Sequence, residues 1–167
     1  MLRSLVGSEM CIRDSITTDF ENPPQIVAGA DLPRKNPPNY IGEEMVGDTG
    51  KTVTASQMES FPDLTPIILE ADMETATARV RSVLDEMKMD VLAEGPVSEQ
   101  SGSGWRVEAE FTSAWFGFKD DFIVRLTSLG DGETRIDVRS KSRVGRSDLG
   151  ANAERVRAFA AKISDAG

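Results

Sequence analysis

Between Arg139 and Arg157 the chain places six cations (Arg139, Lys141, Arg143, Arg146, Arg155, Arg157) against two acids, Asp148 and Glu154. This local balance of +4 lies in a chain of formal charge −9, so the remainder carries about −13. Anion recognition is the chemistry such a segment could do. Gly145 breaks a strand, a helix opens at Ser147 or Asp148, and Arg139, Arg143 and Arg146 flank its first turn. The unbonded N–H groups of a helix N-terminus and the helix dipole both favour negative charge. A small anion or an anionic lipid head group is therefore one candidate ligand. Scaffolding is the plainer account. If the final hairpin closes symmetrically with Ser128 opposite Thr134, then Arg125 faces Asp137 and Asp121 faces Lys141. Those are cross-strand charge pairs on a wet sheet face, each worth ~0–1 kcal/mol, and Asp148 can cap the helix by itself.

Adjacent carboxylates at Asp120 and Asp121 raise a second possibility, a metal-assisted hydrolase. Neighbouring strand residues point to opposite faces, however, so the two cannot converge on one ligand. In the same register Asp120 meets Ser142 on the inner face, where a buried carboxylate needs that hydroxyl or an arginine as partner. Ser140, Ser142 and Ser147 lack a base that would make them nucleophiles. The aromatic run Trp115–Phe118 could form an exposed patch; packing into the core or capping a hairpin is the expected role.

The composition removes other chemistries. There is no histidine, and the single cysteine, Cys11, lies in Leu5–Ser15. That stretch reads as one frame of a transposase adapter used to prepare sequencing libraries, so we set residues 1–15 aside from fold reasoning. Without Cys or His, imidazole or thiolate zinc sites and Ser-His or Cys-His nucleophiles are excluded, and no disulfide marks a compartment. No cofactor is implied. Strong acidity argues against a nucleic-acid partner, which selects basic domains.

These groups must be positioned by ordinary elements. Residues 16–62 are proline-rich and aperiodic; Asn22-Pro-Pro24 and Asn36-Pro-Pro38 each force extended backbone. This is either a disordered linker or an arm laid over the domain, anchored by Phe20, Ile26, Tyr40 and Phe61. Residues 63–167 form the domain proper. Thr65–Glu70 is a short strand. Asp72 caps a helix whose Ala76, Val80, Leu84 and Met87 recur at helical spacing. A strand over Asp90–Ala93 and a polar loop over Ser98–Gly104 follow. From Trp105 the period becomes two: Trp105, Val107, Ala109 and Phe111 alternate with Arg106, Glu108 and Glu110. Phe122, Val124, Leu126, Ile136 and Val138 repeat the pattern around a Leu129–Glu133 turn. The last helix runs from about Asp148 to Ile163, with Asn152 inside its apolar stripe. A buried amide without partners costs ~1–3 kcal/mol, so Asn152 should bond backbone in the Gly145–Ser147 turn.

Thr17–Pro24 with Phe61–Pro66, and Trp115–Asp121 with Arg139–Asn152, resemble the front and back of the bacterial domain-of-unknown-function 1499 family. The likeness covers about Ile16 to Ile163 in order. It implies a domain carried in longer relatives behind membrane-spanning helices, with no established function and no catalytic residues to transfer. Its usual polar set falls on Asp120, Asp121, Arg139, Ser142, Arg143, Gly145, Asp148, Gly150, Asn152 and Arg155.

The expectation is an α+β domain, with an antiparallel sheet of about five strands, two helices on one face and an extended arm in front. The expected role is a non-enzymatic cell-envelope domain, attached to a membrane through an upstream segment. Arg139, Ser142, Arg143, Arg146, Asp148, Asn152, Arg155, Asp120 and Asp121 would serve as its polar network or, alternatively, as its anion site.

Overall fold

Period-two alternation builds the sheet. The structure, a computed structural model, describes residues 15–46, 48–99, 102–114, 116–144 and 150–165. Strands β1 (Ser15–Thr17), β2 (Ile67–Leu69), β3 (Asp90–Glu99), β4 (Gly102–Thr112), β5 (Lys119–Gly130) and β6 (Glu133–Ser142) form one antiparallel sheet. Its order is β1-β6-β5-β4-β3, and β2 also pairs with β6, so β1 and β2 share one edge of β6 end to end. The β5–β6 turn sets the register. Asp131 and Gly132 both adopt positive φ (51° and 80°), the geometry of a type I′ hairpin loop. Gly130 lies opposite Glu133, and a bulge at Leu129 shifts the ladder by one residue, so that Ser128 lies opposite Thr134, Arg125 opposite Asp137, Asp121 opposite Lys141 and Asp120 opposite Ser142.

The apolar side of that alternation is closed by α2 (Met73–Glu86) and α3 (Ala151–Asp165). Val80 and Leu84 of α2 and Val156, Phe159 and Ile163 of α3 pack with Val107, Phe122, Val124, Leu126, Ile136 and Val138 of the sheet. Each fully buried side chain of this kind contributes ~1.5–3 kcal/mol. The Phe122 and Phe159 rings meet edge to face at 5.3 Å. Asp72 caps α2, its Oδ1 accepting from the Thr75 N–H at 2.8 Å. Among the described residues no helix is long and apolar enough to cross a membrane.

The proline-rich segment is an arm laid on the sheet, and it contains more than extended chain. A further helix, α1 (Val53–Ser60), is capped by Thr52 and buries Val53 and Gln57. Gln57 donates to the carbonyl of Ser15, which ties α1 to the edge strand β1. Helical spacing in so short a polar segment is a weak signal, and the prolines around it masked the rest. Of the four expected anchors Ile26 is fully buried, whereas Phe20, Tyr40 and Phe61 are half-buried. β3 also continues to Glu99, through the start of the stretch read as a polar loop. It is an edge strand, where polar residues and Pro96 are tolerated.

One expectation fails. The charged side of β5 and β6 is not a wet face. The arm covers it, and Arg139 (0% exposed), Asp137, Asp121, Arg143, Arg125 and Lys141 are all buried.

Candidate functional site

Between Val27 and Asn36, three sets of contacts pin the arm to the charged side of the sheet. The Glu108 carboxylate accepts the backbone N–H groups of Val27 (3.0 Å) and Gly29 (3.2 Å) and pairs with Arg106 at 2.9 Å. Arg34 then reaches Asp121 at 2.9 Å while also donating to the carbonyls of Gly29 and Asn36. Finally the backbone N–H groups of Lys35 and Asn36 bond the carbonyl of Arg143, and the Asn36 amide bonds that of Ser142. The arm thus crosses out to β4 and returns to the end of β6.

Beneath it lie two ionic clusters. In one, Arg143 bridges Asp121 (2.7 Å) and Glu110, and Lys119 also bonds Glu110. Burial alone would raise the Glu110 carboxyl, but the bonds from Lys119 and Arg143 outweigh it and hold the group below its ordinary value. Burial opposes the Arg143 charge as well, and its two carboxylates again win, raising it. In the other cluster Arg125 donates to Asp137 (2.9 Å), Asp19 (2.8 Å) and the carbonyl of Asn22, and Arg135 bonds the same two carboxylates.

Arg139 stands between them, and among the described residues it has no carboxylate at ion-pair distance. Its Nε donates to Ser15 Oγ (3.0 Å), and its terminal nitrogens donate to the carbonyls of Pro24 (3.2 Å) and Pro38 (2.8 Å). The Tyr40 ring lies 5.6 Å from its guanidinium. Burial lowers its pKa to about 10, which leaves it charged at neutral pH. One side chain therefore joins β6, β1 and both limbs of the arm.

The opposite side of the sheet holds a separate polar island under α3. Asn152 is buried in the α3 stripe; its Oδ1 accepts from Ser140 Oγ (2.7 Å) and Arg155 (2.8 Å), and its Nδ2 donates to Ser142 Oγ (3.2 Å). Among the described residues its partners are the Ser140 and Ser142 hydroxyls and Arg155; the Gly145–Ser147 turn expected to receive this amide lies outside the described residues. Arg155 also pairs with Asp120 at 2.9 Å and lies 4.2 Å from the centre of the Phe111 ring. Burial lowers the Arg155 pKa, and Asp120 offsets part of that cost.

The sequence-derived candidates therefore divide between the two faces. Arg139, Arg143 and Asp121 lie under the arm. The side chains of Ser142, Asn152, Arg155 and Asp120 lie under α3. Arg146 and Asp148 are outside the described residues. Asp120 and Asp121 point apart, as adjacent strand residues must. The backbone of Asp121 does pair with Lys141, yet its carboxylate goes to Arg34 and Arg143. Sequence reasoning missed Arg34, Asn36, Glu108 and Glu110 as members of the site; Asp19, read as a turn former, does accept the Glu21 and Asn22 N–H groups and also joins the Arg125 cluster. Alternation did place Glu108 and Glu110 on the face of Arg125 and Arg143, and a charge count on that face would have found them. Arg34 and Asn36 sit among prolines, where no periodicity gives a position.

Two clefts flank the arm where it crosses β5. One, of about 210 Å³, is lined by Asp19, Asn22, Arg125, Arg135 and Asp137. The other, of about 400 Å³, lies between Pro24 and Val27 of the arm and Pro96, Val97 and Arg106 of the sheet. Among the described residues no cluster of three or more His, Cys, Asp or Glu could hold a metal ion.

Fold and site together define an α+β domain whose charged sheet face is sealed by its own N-terminal arm. The chain belongs to the family described as "Protein of unknown function (DUF1499)", which it matches over residues 15–163. Among solved structures it is similar to one titled "Structural of START superfamily protein from Mycobacterium smegmatis", with 14% identity and a TM-score of 0.33. That likeness covers 62% of this chain and 97% of the other. Comparison with curated proteins gives no match.

Proposed function

We propose that this chain is the non-enzymatic domain of a cell-envelope protein, attached to a membrane through a segment upstream in the intact protein. In this reading the arginine-rich corner is scaffold. One observation carries it: Arg139, Arg143 and Arg155 spend their donors on acceptors of the same chain, on two opposite faces of the sheet. Groups spent in this way do not converge on a common substrate. Breaking a buried ion pair to admit a ligand costs ~3–5 kcal/mol, more than a small anion returns at ordinary concentration. The resemblance of the two halves of the chain to a family with membrane helices in longer members supports the tether.

Anion binding at Arg139, Arg143, Arg146 and the N–H groups near Asp148 is the second reading, favoured by the +4 segment. A hydrolase built on Asp120 or Asp121 is the third, and the opposed directions of these carboxylates weigh against it. A thermal-shift screen with phosphate, sulfate, magnesium, calcium and manganese separates them, because a ligand selective for the folded state stabilises by mass action. Scaffolding predicts a flat response. A rise with an oxyanion revives the second reading, and a rise with a divalent cation revives the third. For the tether, the protein expressed from the intact gene should fractionate with membranes; recovery in the soluble fraction would remove that part.

A further inference from the structure

Of the run Trp115–Phe118, expected to pack into the core or cap a hairpin, Trp115 lies outside the described residues and the two phenylalanines stand at the β4–β5 hairpin without entering the core. Phe116 is 78% exposed and Phe118 52% exposed. Their rings stack on each other at 5.6 Å and 29° instead of turning inward. The tip that presents them is built by its own hydrogen bonds. Ser113 N–H donates to the Phe118 carbonyl (2.9 Å), Gly117 N–H to the Ser113 carbonyl (3.0 Å), and Phe118 N–H to Ser113 Oγ (2.9 Å). Gly117 supplies the positive φ of 63° that the bend requires.

Charge is distributed unevenly along the strand axis. Strand register puts Lys119, and Lys88 just before β3, at the same end of the sheet as this tip. Lys35 is at that end too, its N–H bonded to the Arg143 carbonyl while the Arg143 N–H bonds that of Lys119. The acids nearby are partly neutralised: Glu110 is bound by Lys119 and Arg143, Asp121 by Arg34 and Arg143, and Asp120 by Arg155. Exposed Asp85 and Asp90 offset some of the lysine charge. At the other end of the strands Glu70, Asp72, Glu74, Asp131 and Glu133 are all exposed. Exposed Lys35 and Lys88, which form no ion pair among the described residues, are the cations this end offers an anionic surface beside the aromatic pair.

We propose that Phe116 and Phe118 at the β4–β5 hairpin are a contact site for an anionic phospholipid bilayer, with their rings entering the interface and Lys35 and Lys88 facing the head groups. Aromatic rings favour the depth of the head groups, and interfacial binding grows with the apolar area inserted and with nearby cationic charge. The site belongs to the described domain and does not rest on the upstream tether, so either can fail without the other.

The test is flotation of the full chain with vesicles of phosphatidylcholine and phosphatidylglycerol. The parent should float with the vesicles, and added salt should weaken it. A Phe116→Ser/Phe118→Ser variant should lose binding by about tenfold or more with an unchanged melting temperature, since both rings are exposed. Lys88→Gln should weaken binding by roughly fivefold. A parent that stays at the bottom of the gradient overturns the proposal, as does a double-Phe variant that floats equally well. So does a lipid-free parent whose self-association disappears in the double-Phe variant, because the rings would then serve a second copy of this chain.

Discussion

Arg139 shows how one side chain can join three parts of the chain through neutral acceptors. Its planar fork reaches three acceptors in three directions: Ser15 Oγ and the carbonyls of Pro24 and Pro38. A lysine has a single ammonium on a flexible stem and cannot span that geometry, so Arg to Lys is not conservative here. The lysine would also keep a buried charge that the site has already partly disfavoured, as the lowered arginine pKa of about 10 indicates. A methionine removes the charge and fills most of the volume, a change that buried ionic sites often tolerate. We therefore expect Arg139→Lys to be less stable than Arg139→Met by roughly 1–2 kcal/mol, measured as the difference in urea unfolding midpoints at equal m-value. The opposite order would show that the charge itself, felt from Asp121 or Tyr40, is what the site uses.

At the scale of elements, the arm and the sheet hold each other through backbone groups, and close packing at Gly29 makes that possible. A methyl group at Gly29 would lie 2.6 Å from Asp121 Oδ1 and 3.1 Å from the Ile26 side chain. The carboxylate cannot swing away, because Arg34 and Arg143 both grip it. Gly29→Ala should therefore lift the arm at a cost of about 1–3 kcal/mol. Hydrogen exchange should accelerate at Val27, Lys35 and Asn36 and stay unchanged at Val80 and Leu84 in α2. Uniform acceleration across both regions would mean that arm and core unfold as one unit. Much of this architecture could be read in the sequence. Alternation from Trp105 onward placed the sheet and both of its faces, the glycine-rich turn fixed the β5–β6 register, and Asp72 marked the start of α2. The cover over the polar face could not be read, because an extended proline-rich chain has no period to betray what it lies on. A charged strand face looks the same in sequence whether water or an arm is above it. The polar island under α3 was half legible: the helical stripe showed that Asn152 needs partners, but only the sheet register brings in the Ser140 and Ser142 hydroxyls.

At the scale of the molecule, the sealed face makes acid the natural way to open it. The Glu110 carboxyl is held below its ordinary value of 4.5 by Lys119 and Arg143 against the opposing effect of burial. A carboxyl depressed in the folded state adds stability that is complete above its unfolded value and is lost as pH falls through the folded one. The loss should therefore begin below about pH 4.5. Self-repulsion does not explain a decline starting there, because the chain approaches neutrality near its isoelectric point of about 4.6. Replacing the carboxylate isolates the contribution. Glu110→Gln should be less stable than the parent at pH 7, since Arg143 and Lys119 lose a charged acceptor in a site largely closed to water. The two stability curves should then converge as the parent protonates below pH 4.5, and chemical denaturation at a series of pH values reads this directly. Curves that stay parallel to the acid limit would show that Glu110 is not the source of the acid sensitivity.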